Sequence, residues 1–266
     1  MTVYFVTRFS IFDPSFRGFR LSTDHDVVEY ERRLFDRGRL DHKFATFESI
    51  TLRSVVAQTR TDWRWIIYAS DRLPSNFAAR LIRLVTPYPQ ITVRAVPSFR
   101  EFFGETQSYD YGESFATVRL DDDDGVGSAF VENLQQYSAS RGTIICFTEG
   151  RLVKYSDDKV VRGEAVSERN NAQGLTAVGL NIYNCGRHSD IDSRYPVVYD
   201  STAEMYLLCC SPYADTQRGF TSLDRAAAKV RRLVFLVGHR PTEARDEVFN
   251  FFARRMKRVW KRPWGA

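Results

Sequence analysis

The sequence lacks any run of about 18 apolar residues, the minimum for a helix that crosses a bilayer. It opens MTVYFVTRFS, without the basic start, long apolar middle and small-residue cleavage site of a secretory signal. Cysteine is scarce: Cys146, Cys185, Cys209 and Cys210 form neither a CxxC pair nor a zinc-knuckle spacing. A bridge between adjacent Cys209 and Cys210 would be strained, so reduced, buried thiols in a cytoplasmic protein are expected. Lysine is rare beside arginine, six against 32, which favours paired guanidinium contacts to phosphate. Residues Arg8–Arg20 hold one glycine, Gly18, and no lysine, so the glycine-rich, Lys-bearing phosphate loop of nucleotidyltransferases is absent. Internal repeats and low-complexity tracts are absent too. What is present is apolar surface: 43% hydrophobic and 14% aromatic residues, with a net charge of +5 over 266 residues. That composition excludes a disordered chain and suits one large domain, or one domain with an appended segment.

Apolar spacing predicts strands at Val3–Thr7, Trp63–Ala69, Ile91–Val96, Thr117–Leu120, Thr143–Thr148 and Leu175–Tyr183. It predicts helices at Asp26–Phe35, Phe44–Gln58, Asp71–Val85 and Val126–Tyr137, with a short buried helix at Thr202–Cys210. Arg8–Arg20 and residues 97–116 read as irregular, and Arg151–Val166 as a polar hairpin. Two further helices are expected at Ala226–Val237 and Ala244–Lys261. The alternation of strand and helix implies an α/β fold with a mostly parallel, Rossmann-type sheet flanked by helices and followed by a C-terminal helical segment. In such sheets ligands bind beyond the carboxyl ends of the strands, where Thr7–Phe9, Ser70–Asp71 and Asp121–Asp124 are expected to converge.

The most informative stretch is Arg119-Leu-Asp-Asp-Asp-Asp-Gly125. Four adjacent carboxylates raise one another's pKa unless a cation is near, and a hard divalent cation prefers oxygen ligands. With alternate carboxylates such as Asp121 and Asp123 aimed at one site, Mg²⁺ or Mn²⁺ there would stabilise a departing phosphate. A solvated acidic turn is the plainer reading, weakened here because the run follows an apolar strand and precedes a helix.

Thr51-Leu-Arg-Ser-Val-Val-Ala-Gln-Thr59 followed by Trp63-Arg-Trp-Ile-Ile-Tyr-Ala-Ser-Asp71 resembles the opening unit of GT-A-fold glycosyltransferases, and RLDDDDG resembles their DxD motif. The start TRFS, with the run from Phe44 to Asp71, is more specifically similar to bacterial rhamnosyltransferase-like proteins. The resemblance implies a GT-A-like domain over residues 1–225, with a nucleotide-sugar half at 1–150 and an acceptor half at 151–225. It implies that Thr7, Arg8 and Phe9 border the nucleotide and that Asp71 faces the base or ribose. Asp123 becomes the direct metal ligand and Asp121 a ribose or metal ligand, with Asp122 in support and Arg119 paired to a carboxylate or phosphate. The implied activity is a metal-dependent, inverting transfer of a sugar, rhamnose among the options, from a nucleotide-diphosphate donor to a glycan or lipid-linked acceptor. The alternative is a catalytically silent relative serving as a binding module. Two departures stand out. Ala69-Ser70-Asp71 keeps one acid, and Tyr206-Leu-Leu-Cys-Cys-Ser-Pro212 lacks the histidine such proteins carry after their later buried helix.

Inverting transfer needs a base for the acceptor hydroxyl. His188, Asp200 and Glu204 are the candidates, with Glu149 a further option; a surface histidine and a helix cap are the plain alternatives for the first three. Tyr109, Tyr111 and Phe115 read either as sugar-stacking faces or as loop packing. Residues 226–266 end in a basic amphipathic segment, Arg254–Arg262, suited to an anionic membrane surface or to docking on the core. No recognised nucleic-acid motif accompanies it, so no nucleic-acid partner is expected.

Overall fold

A strand whose every residue is apolar must have both faces covered. The run WRWIIYAS comes close to that: apolar but for Arg64 and Ser70, it is buried at every position except Arg64 in the computed structural model, which describes residues 1–156, 159–211 and 213. The chain starts with β1 (Thr2–Phe9) and passes through α1 (Arg20–Thr23), α2 (Val27–Leu34), α3 (Arg37–Thr46) and α4 (Leu52–Val56). It continues with β2 (Trp63–Ser70), α5 (Ser75–Val85), β3 (Ile91–Val96), α6 (Phe99–Ser108) and β4 (Phe115–Arg119). Then come β5 (Gly125–Val126), α7 (Phe130–Leu134), β6 (Ile144–Phe147), β7 (Glu149–Ser156) and β8 (Lys159–Ser167). Last are β9 (Thr176–Val178), β10 (Val197–Asp200) and β11 (Tyr206–Cys210). The expected C-terminal helical segment and its basic stretch lie outside the described residues.

The larger sheet has seven strands in the order β10-β6-β9-β4-β1-β2-β3. β4, β1, β2 and β3 run parallel, β10 pairs parallel with β6, and β9 is antiparallel to both its neighbours. This is the mostly parallel, helix-flanked sheet expected from the sequence. Strand β2 splits its side chains by alternation. Trp65 and Ile67 of β2 join Phe5, Phe44 and Phe47 on one face, and Ile66 and Tyr68 join Phe99 and Phe102 on the other. On α5 the buried residues Phe77, Leu81 and Val85 recur every four residues, a stripe facing the sheet. Aspartates start α2 and α3: Asp26 accepts from the Glu29 amide and Asp36 from the Arg39 amide. A π-helical turn at Phe47–Thr51 joins α3 to α4 and shifts the phase of the apolar stripe. Phe44, Phe47, Leu52 and Val55 therefore meet the larger sheet, while Ile50 packs with Val153, Leu207 and Cys209 of the smaller one.

The smaller sheet runs β5-β11-β7-β8, and it corrects one expectation. Tyr206–Cys210 is a strand, not a buried helix. A short continuous apolar run fits either, and here alternate residues enter two clusters, Leu207 and Cys209 on one face and Leu208 and Cys210 on the other. Residues 97–116 are not wholly irregular, because Ser98 caps α6 through the Arg100 and Glu101 amides and Phe99, Phe102 and Thr106 form its buried face. The strand expected to reach Tyr183 stops at Val178, where Gly179 adopts φ +67°. The helix expected from Val126 begins only at Phe130, and the edge strand β10 is an addition. The hairpin Arg151–Val166 is present as β7 and β8, and all four cysteines are free and buried.

Between β5 and α7 the chain passes Gly127, whose amide donates to the Met205 carbonyl at 3.0 Å. A Cβ there would stand 2.4 Å from the Glu204 carbonyl oxygen. Gly127→Ala is expected to cost about 1–3 kcal/mol through this forced displacement. Thermal melting checks it; an unchanged Tm would show that the 203–205 loop gives way freely.

Candidate active site

From β1 the chain builds outward to β2 and β3, then returns to place β4 on the other side of β1. The crevice past the carboxyl ends of β1 and β4 is thus the topological switch point, where doubly wound sheets bind ligands. Val6 of β1 pairs with Arg119 of β4, and the Leu120 amide still donates to the Val6 carbonyl at 3.2 Å. One residue later the chain turns through Asp121–Asp124 and enters β5 of the smaller sheet. The acidic turn hangs between the two sheets.

Each carboxylate but one is compensated. Asp121 Oδ1 accepts from Arg8 at 3.1 Å, and its Oδ2 accepts from Arg119 at 3.2 Å and from Gln173 at 3.4 Å. Arg8 lies over the rings of Phe19 and Tyr183, with its guanidinium carbon 5.3 and 5.2 Å from their centroids. Asp122 pairs with Lys43 of α3. Asp124 Oδ1 accepts the backbone amide of Cys209 in β11 at 2.7 Å. No other residue gives the Asp123 side chain a hydrogen bond or an ion pair among the described residues. Three cations, Arg8, Arg119 and Lys43, thus face four carboxylates.

The titration of these acids follows their partners. Burial raises the Asp121 carboxyl, but Arg119 and Arg8 more than offset that and hold it well below the usual carboxylate range. Burial and the neighbouring Asp122 charge push Asp123 up to about 7, against the pull of Lys43. Burial and the adjacent Asp123 also raise Asp124 well above its ordinary value. A divalent cation beside Asp123 would remove that penalty, so the oxygen-only donor set fits Mg²⁺ or Mn²⁺, which use one or two carboxylates and complete their shells with water and phosphate.

The turn and Arg8 form one side of a cavity of about 730 Å³, a size typical of small-ligand sites. Its other side comes from the segment between β1 and α3, including Phe19, Arg20, Asp24 and His25, and from Arg39 in the first turn of α3. Arg39 donates to the Leu34 carbonyl at 2.8 Å and to Ser10 Oγ at 3.4 Å, tying that segment to the end of β1.

The structure therefore brings together Arg8, Arg119 and all four aspartates. It places the other expected residues elsewhere. Thr7 is wholly buried, its Oγ1 accepting from Trp65 Nε1 at 2.9 Å. Phe9 is equally buried, against Phe44 and Phe47, with Lys43 Nζ 5.3 Å from its ring centre. Asp71 is exposed past β2, with its amide bonded to the Val96 carbonyl, and does not line the cavity.

None of the base candidates lines the cavity either. His188 Nδ1 lies 2.7 Å from the Asn170 carbonyl oxygen. Burial raises the Asp200 carboxyl, but bonds from Thr202 and Tyr137 outweigh it and leave the acid below its usual value, poor for a base. No helix follows Asp200 for it to cap; it closes a local turn by accepting from the Thr202 amide and hydroxyl. Glu204 pairs with the buried Arg151 at 2.6 Å, and Glu149 accepts from Ser167. Tyr109, Tyr111 and Phe115 stack among themselves and with Tyr4, away from the cavity, as loop packing.

Lys43, Gln173, Asp24 and His25 are among the cavity residues that sequence reasoning passes over. Lys43 carried one signal: it is among only six lysines and directly precedes the apolar helix stripe at Phe44.

A family model described as putative rhamnosyl transferase matches residues 2–221. No curated protein matches the chain. Solved structures of S. aureus TarS 1–349 are similar to it. The complex with UDP-GlcNAc is 7% identical with a TM-score of 0.49, the match covering 91% of this chain and 68% of that one. A second TarS 1–349 structure is 8% identical (TM-score 0.45; 79% and 60% covered), and the complex with UDP 7% identical (TM-score 0.43; 80% and 61% covered).

The Asp123 carboxyl titrates higher in the folded chain than the ordinary value near 4, so the folded state holds an extra proton from about pH 4 to about pH 7. Stability from this residue falls as pH rises across that window. In EDTA, Asp123→Asn is expected to melt above wild type at pH 8, by at least the ~2–4 °C that about 1 kcal/mol is worth, and level with it near pH 4. Melting curves at both pH values test this; a gap that does not change with pH contradicts it.

Proposed function

The chain belongs to the putative rhamnosyl transferase family and is a glycosyltransferase, and from that premise we propose that it moves rhamnose or a related sugar from a nucleoside diphosphate donor to a hydroxyl of a glycan or lipid-linked acceptor, with inversion. The observation that carries the donor half of this reading is Asp123, a carboxylate without a counter-charge in a cavity at the switch point of the sheet. A divalent cation held by Asp123 supplies charge neutralisation for the departing diphosphate.

The remaining roles belong to the chain's own side chains. Arg8, fixed by Asp121 and two aromatic rings, presents a guanidinium in the same cavity as Asp123 and suits a phosphate oxygen. Asp121 orients Arg8 and Arg119, a task that uses both its oxygens. Lys43 and Asp122 form a neutral pair at the same wall. In the transfer, the acceptor oxygen bonds to the anomeric carbon as the bond from that carbon to the phosphate oxygen breaks. The hydroxyl proton passes to a base, and the electron pair leaves with the diphosphate. The helical side of the cavity carries Asp24, His25, Tyr30 and Asp36; Asp36 caps α3 through the Arg39 amide, and Asp24 and His25 are assigned that proton.

Thermal shift with UDP, dTDP and GDP, each in EDTA, Mg²⁺ or Mn²⁺, tests the donor site. One nucleotide is expected to stabilise wild type in metal by about 2.7 kcal/mol at a hundred times its Kd. Asp123→Ala should lose the metal-dependent part, and Arg8→Ala should bind about tenfold more weakly, the worth of one bond to a charged group. No shift with any pair, on folded protein, refutes the reading.

A further inference from the structure

The Gln-Thr step that ends the α4 helix is not part of the cavity, yet it holds the segment that leaves the acidic turn. Gln58 follows α4 and is 9% exposed. Its Nε2 donates to the Ser54 carbonyl at 2.9 Å and to the Gly127 carbonyl at 2.7 Å. Its Oε1 accepts the Val131 amide at 2.9 Å, at the start of α7. One turn earlier, Ser54 Oγ accepts the Val126 amide at 3.2 Å and donates to the Thr51 carbonyl at 2.8 Å. Val126 and Gly127 are the second and third residues after Asp124, so two peptide groups just past the turn are bonded to side chains of α4 and of the residue that follows it. On its other side the segment is bonded to β11: Val126 pairs with Tyr206, and the Gly127 amide donates to the Met205 carbonyl.

We infer that Gln58 is a positioning residue for the metal-dependent part of donor binding, acting by fixing where the chain leaves Asp121–Asp124; this rests on the donor-site reading above. A primary amide is the group the site requires. Both donors meet carbonyls and the oxygen meets an amide, so all three polar contacts depend on Gln rather than on an isostere. Ser54 shares the load at Val126. The consequence is a division of labour. Arg8, Arg119 and Lys43 set the charge of the turn, and Gln58 sets its place.

The test separates position from general stability. For the nucleotide that binds best, the ratio of Kd in EDTA to Kd in Mn²⁺ measures the metal-dependent gain. Gln58→Glu keeps the shape and the acceptor but turns an oxygen toward the Ser54 and Gly127 carbonyls. It is expected to cut the ratio about tenfold, leaving the Kd in EDTA within a factor of two or three. Gln58→Met removes the donors without adding a charge and serves if Gln58→Glu does not fold. Thr59→Ala is the control. The Thr59 side chain donates to Glu132 at 2.9 Å and touches neither Gly127 nor the turn, so the ratio should hold. An unchanged ratio in folded Gln58 variants, or an equal fall in Thr59→Ala, overturns the inference alone. A wild-type ratio of one overturns it together with the donor-site reading.

Discussion

Repulsion among four adjacent carboxylates is the constraint around which this molecule is arranged. Left to themselves, Asp121–Asp124 would push apart or take up protons. Instead each neighbouring element sends one compensating group: Arg8 from β1, Arg119 from β4, Lys43 from α3 and the Cys209 amide from β11. These elements lie far apart in sequence, and the turn is where they meet. The compensation stops one charge short, at Asp123. Under the proposed function that deficit is where a cation would bind, a trade between stability and function that binding sites commonly make.

The topology explains why the meeting occurs there. The switch point opens a crevice between β1 and β4 without any help from side chains. The turn fills its mouth because β4 belongs to the larger sheet and β5, six residues further on, to the smaller. The π turn between α3 and α4 serves the same junction. It lets one helical run present Phe44 and Phe47 to one sheet and Ile50 to the other while keeping Lys43 beside the acids.

Much of this is legible in the sequence, and the misses have physical causes. The parallel strands and the acidic turn show as apolar runs and an unusual charge cluster, both local features. The resemblance groups Thr7, Arg8 and Phe9 at the end of the first strand, but side chains alternate along a strand. Once Arg8 points into the crevice, Thr7 and Phe9 must point into the core, and period-two alternation alone could have separated them. Lys43 finds its partner 79 residues away, a pairing no local pattern reveals. The proton acceptors are the least legible part. His188, Asp200 and Glu204 looked free in sequence because the groups that occupy them, Asn170, Tyr137 and Arg151, lie on other elements. The strand at Tyr206–Cys210 escaped because five apolar residues carry no period that tells strand from helix.

Two small residues bracket the exit from the turn, and they face different bodies. A Cβ on Gly125 would come within 3.2 Å of Ser54, whereas one on Gly127 would come within 2.4 Å of the Glu204 carbonyl. The peptide between them works as a gauge block, its thinness setting how closely α4 and the approach to β11 can stand. Enlarging the first would press the ribbon away from the helix, and enlarging the second would press it away from the strand. The two positions are therefore coupled, each tolerating bulk only if the other has room to yield. In this chain the spacing just past the acidic turn is governed by residues that carry no charge.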